Sequence, residues 1–255
     1  LPAPGAEAAH AARHGVLNLS CDAARTARLA AFAKSQRATL SALVQAAWLV
    51  LLQRYTGQAT VSFGATVAGR PDALPGADRM LGLFINTIPV IGTPSPSMRV
   101  GEWLAAVQRD GVAAREHEHL PLVEIQRGAG IDGGQPMFDT LLVFENYPVD
   151  AILDDASPHG LRFSGLRNED RTSFPLTLSV TQGRAAHAAT PGESPAARLD
   201  IEFAYAGDLF TAAQIERLAG QLRTLLDAFA ADPEARLGAL DPLPAEERAT
   251  LAGWG

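Results

Sequence analysis

The chain has 255 residues, 47% of them hydrophobic and 19% charged, with a formal net charge of −7. That composition suits a soluble globular protein with room for one large domain or two small ones. The acidic balance argues against nucleic acid, whose phosphates recruit Lys and Arg, and against an anionic membrane surface.

Residues 1–14 are rich in Ala, Pro and Gly and read as a linker or tail, with no basic segment leading into an apolar core as a signal peptide would have. Val16 to Ser20 forms a short strand-like run. The single cysteine, Cys21, follows it, so no intramolecular disulfide can form, which fits a reducing cytoplasm. Beside an apolar strand, Cys21 reads as a buried inert thiol. Asp22 can cap a helix running to about Gln36.

The clearest helix follows. Leu40, Leu43, Val44, Ala47, Trp48, Leu51, Leu52 and Tyr55 recur at i, i+3, i+4, i+7 spacing, with Thr39 as N-cap and Gly57 as stop. Its stripe is core, and its apolar run, broken by Gln45, is too short to span a bilayer. From Thr60 to Val67 apolar and polar residues alternate, as in a half-buried strand. Phe84 to Val90 is a second strand. A helix is expected from about Val100, with Trp103, Leu104 and Val107 inward, and a short one from Pro121.

Glu116-His117-Glu118-His119 invites a metal reading, but the zinc-protease pattern needs histidines four apart on one helical face, and Pro121 blocks the helix here. Gly128 to Gly133 matches G-x-G-x-x-G, yet a helix precedes it where the dinucleotide fingerprint needs a strand, so it reads as a loop. No metal site and no catalytic triad is expected.

Phe138 to Phe144 is a continuous apolar run, as in a central strand. Leu161 to Leu166, Leu176 to Val180 and Leu199 to Tyr205 supply further strands, with an exposed loop from Gly183 to Arg198. The last long helix opens on a capping box, Thr211 and Gln214, and ends at Asp232-Pro233. About seven strands mixed with four or five helices predict an α/β layered sandwich, a mixed sheet flanked by helices.

Five segments resemble, in order, the condensation domain of nonribosomal peptide synthetases. Gly64 to Arg70, after the Thr39 to Gly57 helix, is similar to a strand ending in G-x-x-x-x-G-R. Leu81 to Val90 (LGLFINTIPV) resembles the IGxFVNT motif. His117 to Leu122 resembles HEHxPL, and Phe138 to Pro148 resembles FDxLFVFENYP. Arg171 to Leu176 (RTSFPL) resembles the segment before a late strand. The family's catalytic HHxxxDG lies in the N-terminal lobe. No His-His pair occurs here, and none of His10, His14, His117, His119, His159 and His187 precedes Asp-Gly at that spacing.

The resemblance therefore covers the C-terminal lobe alone, residues 15–240, of the chloramphenicol acetyltransferase-like, CoA-dependent acyltransferase fold. Residues 241–255 resemble the linker toward an adenylation domain. The family forms an amide bond between thioesters carried on phosphopantetheine arms, so the arms enter as substrates and no bound cofactor is implied. Whether this chain is itself an enzyme is left open, since it lacks the histidine motif.

The implied partners are the N-terminal lobe, acyl and peptidyl carrier proteins and the adenylation domain. Asn86 is the first tunnel candidate, its amide pairing with a pantetheine amide or, equally, closing a strand end. Thr66 and Arg70 end a strand facing the tunnel or the lobe interface, and Arg70 either pairs with a carboxylate of the other lobe or is solvated. Ser173 completes the set. The alternatives are a non-catalytic docking or scaffold module, or half of an epimerization or cyclization domain.

Overall fold

The computed structural model describes residues 14–68, 76, 79–131, 135–145, 172–184 and 197–253. Six strands are described: β1 (His14–Cys21), β2 (Val61–Ala68), β3 (Ile85–Gly92), β4 (Thr140–Glu145), β5 (Leu176–Arg184) and β6 (Ala197–Ala206). They form one mixed sheet in the order β1-β6-β5-β4-β2-β3. The β2–β4 and β4–β5 pairs are parallel, and the other three pairs are antiparallel. β4 is central, as its apolar run predicts. The strand expected over Leu161 to Leu166 lies outside the described residues.

Among the described residues six α-helices accompany the sheet, where four or five are expected from the sequence: α1 (Ala23–Ser35), α2 (Leu40–Thr56), α3 (Val100–Arg115), α4 (Leu122–Gly128), α5 (Ala212–Ala231) and α6 (Ala245–Ala252). Their ends follow local chemistry. Asp22 and Thr39 each accept a hydrogen bond from the backbone N–H three residues on, at 2.7 and 3.1 Å. Thr211 and Gln214 close the expected capping box on α5. Gly57 ends α2 at φ +67°, the left-handed conformation that glycine adopts at least cost.

Strand alternation sends one set of side chains to the helices. Cys21, Leu199 and Ile201, then Val180 and Leu178, then Leu142, Ala65 and Ile88 share one face by register, and all belong to the core. Helices α1, α2, α3 and α5 supply the rest, with Leu29, Trp48, Leu104, Leu222 and Phe229 fully or almost fully buried. Trp103 of α3 donates its indole N–H to the Ala46 carbonyl of α2 at 3.0 Å, so a large ring is buried without an orphaned donor. Asp227 of α5 pairs with Arg25 of α1 at 3.1 Å and also with Arg28. Cys21 is wholly buried, and burial first, against the opposing field of Arg25, pushes its thiol up, so the inert reading holds.

Among the described strands, β1 and β3 are the edges. β3 carries Pro89 within its span, a residue that sheets tolerate at an edge. The segment expected as a linker after residue 240 contains α6, which packs on α5: Pro244 lies beside Gly220, and Gln221 donates to Glu247 at 3.1 Å. No helix among the described residues is long and apolar enough to cross a membrane.

Candidate functional site

The second face of the sheet has a different chemistry. By register, Asn18, Glu202, Ser179, Val143, Thr66 and Thr87 form one row across all six strands. They are exposed or half-buried, and five of the six are polar. The row beside it is closed: Gly64, Leu141 and Thr177 are buried. Phe138 lies over Gly64, where a Cβ would come within 2.3 Å of its ring, and Phe138 stacks on Phe174 with centroids 5.5 Å apart. Leu141 and Phe138 are thus buried yet stand apart from the helix-side core.

The expected site residues divide between the faces. Thr66 stands in the polar row. Ser173 is exposed, just ahead of β5 and next to the Phe174 stack. Arg70 lies outside the described residues. Asn86 pairs with Val67, one residue out of step with Thr66, and so points to the helix side. There its Nδ2 donates to the carbonyls of Glu118 and Leu120 at 2.7 and 2.8 Å, and its Oδ1 accepts from the Thr87 N–H at 2.9 Å. Both amide hydrogens are used in holding the turn between α3 and α4 against β3. This is the strand-closing alternative expected for Asn86, with a turn as the thing closed.

That turn carries Glu116, His117, Glu118 and His119, and both histidines are exposed. Among the described residues no group of His, Cys, Asp or Glu could hold a metal ion. Cys21, the chain's only cysteine, is sealed in the core. The open row can bind and position through hydroxyl, amide and carboxylate groups.

A cavity of about 590 Å³ opens at the beginnings of β2, β4 and β5, between α2, α5 and α6. Trp48, Tyr55, Phe138 and Phe210 line it, and Asp139, Arg217 and Glu247 are also among its lining residues. The indole N–H of Trp48 reaches Thr140 Oγ1 at 3.4 Å. Tyr55 donates to Gln221 Oε1 at 3.0 Å. Burial first, then the neighbouring Glu247 carboxylate, push the Tyr55 hydroxyl up, with Arg217 and the Gln221 hydrogen bond opposing. Sequence reasoning missed this cavity.

Comparison with known proteins places these features in context. The family model described as "Condensation domain" matches residues 1–252. A linear gramicidin synthase of Brevibacillus parabrevis is 37% identical over 230 residues, 90% of this chain but 3% of that protein. A four-domain nonribosomal peptide synthetase, solved in its holo form with AMP and glycine, superposes with a TM-score of 0.74 at 20% identity, over 92% of this chain and 18% of that one. The X-domain from teicoplanin biosynthesis, solved in complex with OxyB, gives a TM-score of 0.72 at 28% identity, covering 91% of this chain and 49% of the other. The chain thus spans a few per cent of that curated relative and about half of the solved X-domain chain.

Proposed function

The chain belongs to the condensation-domain family, and on that premise we propose that it is the C-terminal lobe of such a domain, which joins carrier-bound thioesters by an amide bond. The observation that carries this reading is the sheet's second face, whose row across the six strands is polar at five of them and bare of the four long helices. A wall of this kind can position a substrate that another lobe activates. Holding an amine close to a thioester carbon supplies much of the rate of such a transfer.

The sequence has no HHxxxDG, so the base belongs to the N-terminal lobe and this chain alone is inactive. Phosphopantetheine arms of the carrier proteins run along the wall. Thr66 and Ser173 face the substrate, with Arg70 as a further contact, while Asn86 acts indirectly by fixing the turn after α3. The adenylation domain lies beyond α6, in a cytoplasmic synthetase of nonribosomal peptide and antibiotic biosynthesis.

The test is recombination. An N-terminal lobe expressed separately, mixed with this chain and with loaded donor and acceptor carriers, should bind it and form dipeptidyl-carrier, and either lobe alone should not. Turnover by this chain alone would overturn the reading, as would failure to associate when circular dichroism shows both lobes folded. A second reading, a non-catalytic docking module, draws on the teicoplanin X-domain, solved as a complex with OxyB. It predicts binding to a partner protein with no peptide-bond formation after recombination.

A further inference from the structure

We propose that the cavity between α2, α5 and α6 is a binding site for a small neutral aromatic molecule, with α6 as its detachable lid. The proposal rests on the end of the sheet where β2, β4 and β5 begin, and is independent of the condensation reading.

The cavity holds about 590 Å³ and is open to solvent on one side, beside a tightly packed core. The size falls within the range of small-molecule pockets. Tyr55, Phe138 and Phe210 are aromatic residues of its lining, set over a Trp48 that is itself wholly buried. Aromatic walls favour a flat ring through edge-to-face and stacked contacts. The charges among the lining residues are mixed, Asp139 and Glu247 against Arg217, and Trp48, Leu52, Val61 and Ile215 bring none. A charged ligand would lose hydration there without gaining a buried partner, which selects for a neutral one.

α6 is a lid by the way it is fastened. It is an eight-residue helix, too short to be stable by itself. Its polar tie to the body runs from Tyr55 of α2 through the buried Gln221 of α5 to Glu247. Both ends of that relay, Tyr55 and Glu247, line the cavity. A helix of eight residues opens locally at lower cost than the long core helices, and its opening widens the way to the aromatic walls.

Nile red, a neutral aromatic dye, is the probe. Its emission should rise and shift to the blue saturably on titration with the intact chain. Leu52→Trp, which fills the cavity from a half-buried position, should abolish that saturable rise. If Leu52→Trp loses its far-ultraviolet circular dichroism, Gln58→Trp at an exposed lining position provides the block instead. Thr66→Trp, on the other sheet face, should leave binding unchanged. Gln221→Leu cuts the lid's tie but keeps the walls, and should bind the dye faster in stopped flow.

A non-saturating rise would overturn the site, as would a loss of binding in Thr66→Trp. Self-association of the chain that Leu52→Trp abolishes would make the groove a contact between copies and overturn it too. An association rate unaltered by Gln221→Leu would overturn the lid.

Discussion

Leu178 and Ser179 are consecutive residues of β5, and they live in different worlds. Leu178 is sealed among the helices with Phe203 beside it in register, while Ser179 stands half-buried in the polar row next to Glu202. The two faces of one sheet are built by the same strands, one residue out of step. The helix face holds the lobe together by burying apolar surface, and the open face carries the groups that can meet a substrate or another protein. Stability and function are thereby divided by parity along each strand, and substitutions on the two faces should move different observables.

The largest effect belongs to the covered face. Phe203→Ala should cost about 3–5 kcal/mol, because it removes a wholly buried ring and leaves a cavity that the sheet cannot close. Urea denaturation followed by circular dichroism measures it, and a cost below that of an ordinary surface change would break the division. Asn86→Ala tests a polar group on the same face. Removing the amide strips the carbonyls of Glu118 and Leu120 of their donor. The expected cost is about 1–3 kcal/mol, with faster amide exchange confined to the turn after α3. Rescue of that turn by Asn86→Asp would count against the clamp, since the carboxylate keeps the acceptor for Thr87 and lacks both donors.

Gly64→Ala sharpens the comparison, because it sits on the open face at the point where Phe138 closes it. A Cβ there would lie 2.3 Å from the Phe138 ring, so about 1–3 kcal/mol is expected as the ring and its stack on Phe174 shift. A neutral result would mean that the aromatic pair packs loosely. The smallest change in stability is expected at Ser179→Ala, within about 0.5 kcal/mol. Its effect should appear instead in the affinity for the N-terminal lobe or in product formation after recombination. A large loss of stability there would place the open face with the core.

Much of the helix side is legible in the sequence, because its signals are local. Thr39 and Gly57 bracket α2, and Thr211 with Gln214 opens α5, each by chemistry confined to a few neighbouring residues. α6 reads as a linker because eight residues with a weak apolar stripe look like one, and its packing depends on Gly220 and Gln221, distant in sequence. The strand order is not legible, since pairing β1 with β6 joins residues at opposite ends of the lobe.

The same distance explains the candidate site. Thr66 can be placed on a strand face by alternation. Nothing in the residues around Asn86 reveals that its partners are the carbonyls of Glu118 and Leu120, more than thirty positions away. The cavity escapes for a related reason: its walls are gathered from α2, β2, the approach to β4, α5 and α6, and no single stretch carries a signal of it.

The two rims of the sheet have a consequence for how free copies of the chain meet. Strand-to-strand growth needs two competent rims, one to add to and one to offer onward. At β3 the rim is interrupted by Pro89, which has no N–H to give an incoming backbone. At β1 the rim has no proline and exposes Val16, with His14 and Asn18 on the same face. Among the described strands, a pairing of β1 with β1 about a two-fold axis would leave the proline-bearing β3 rims outward. Such an isologous encounter closes on itself.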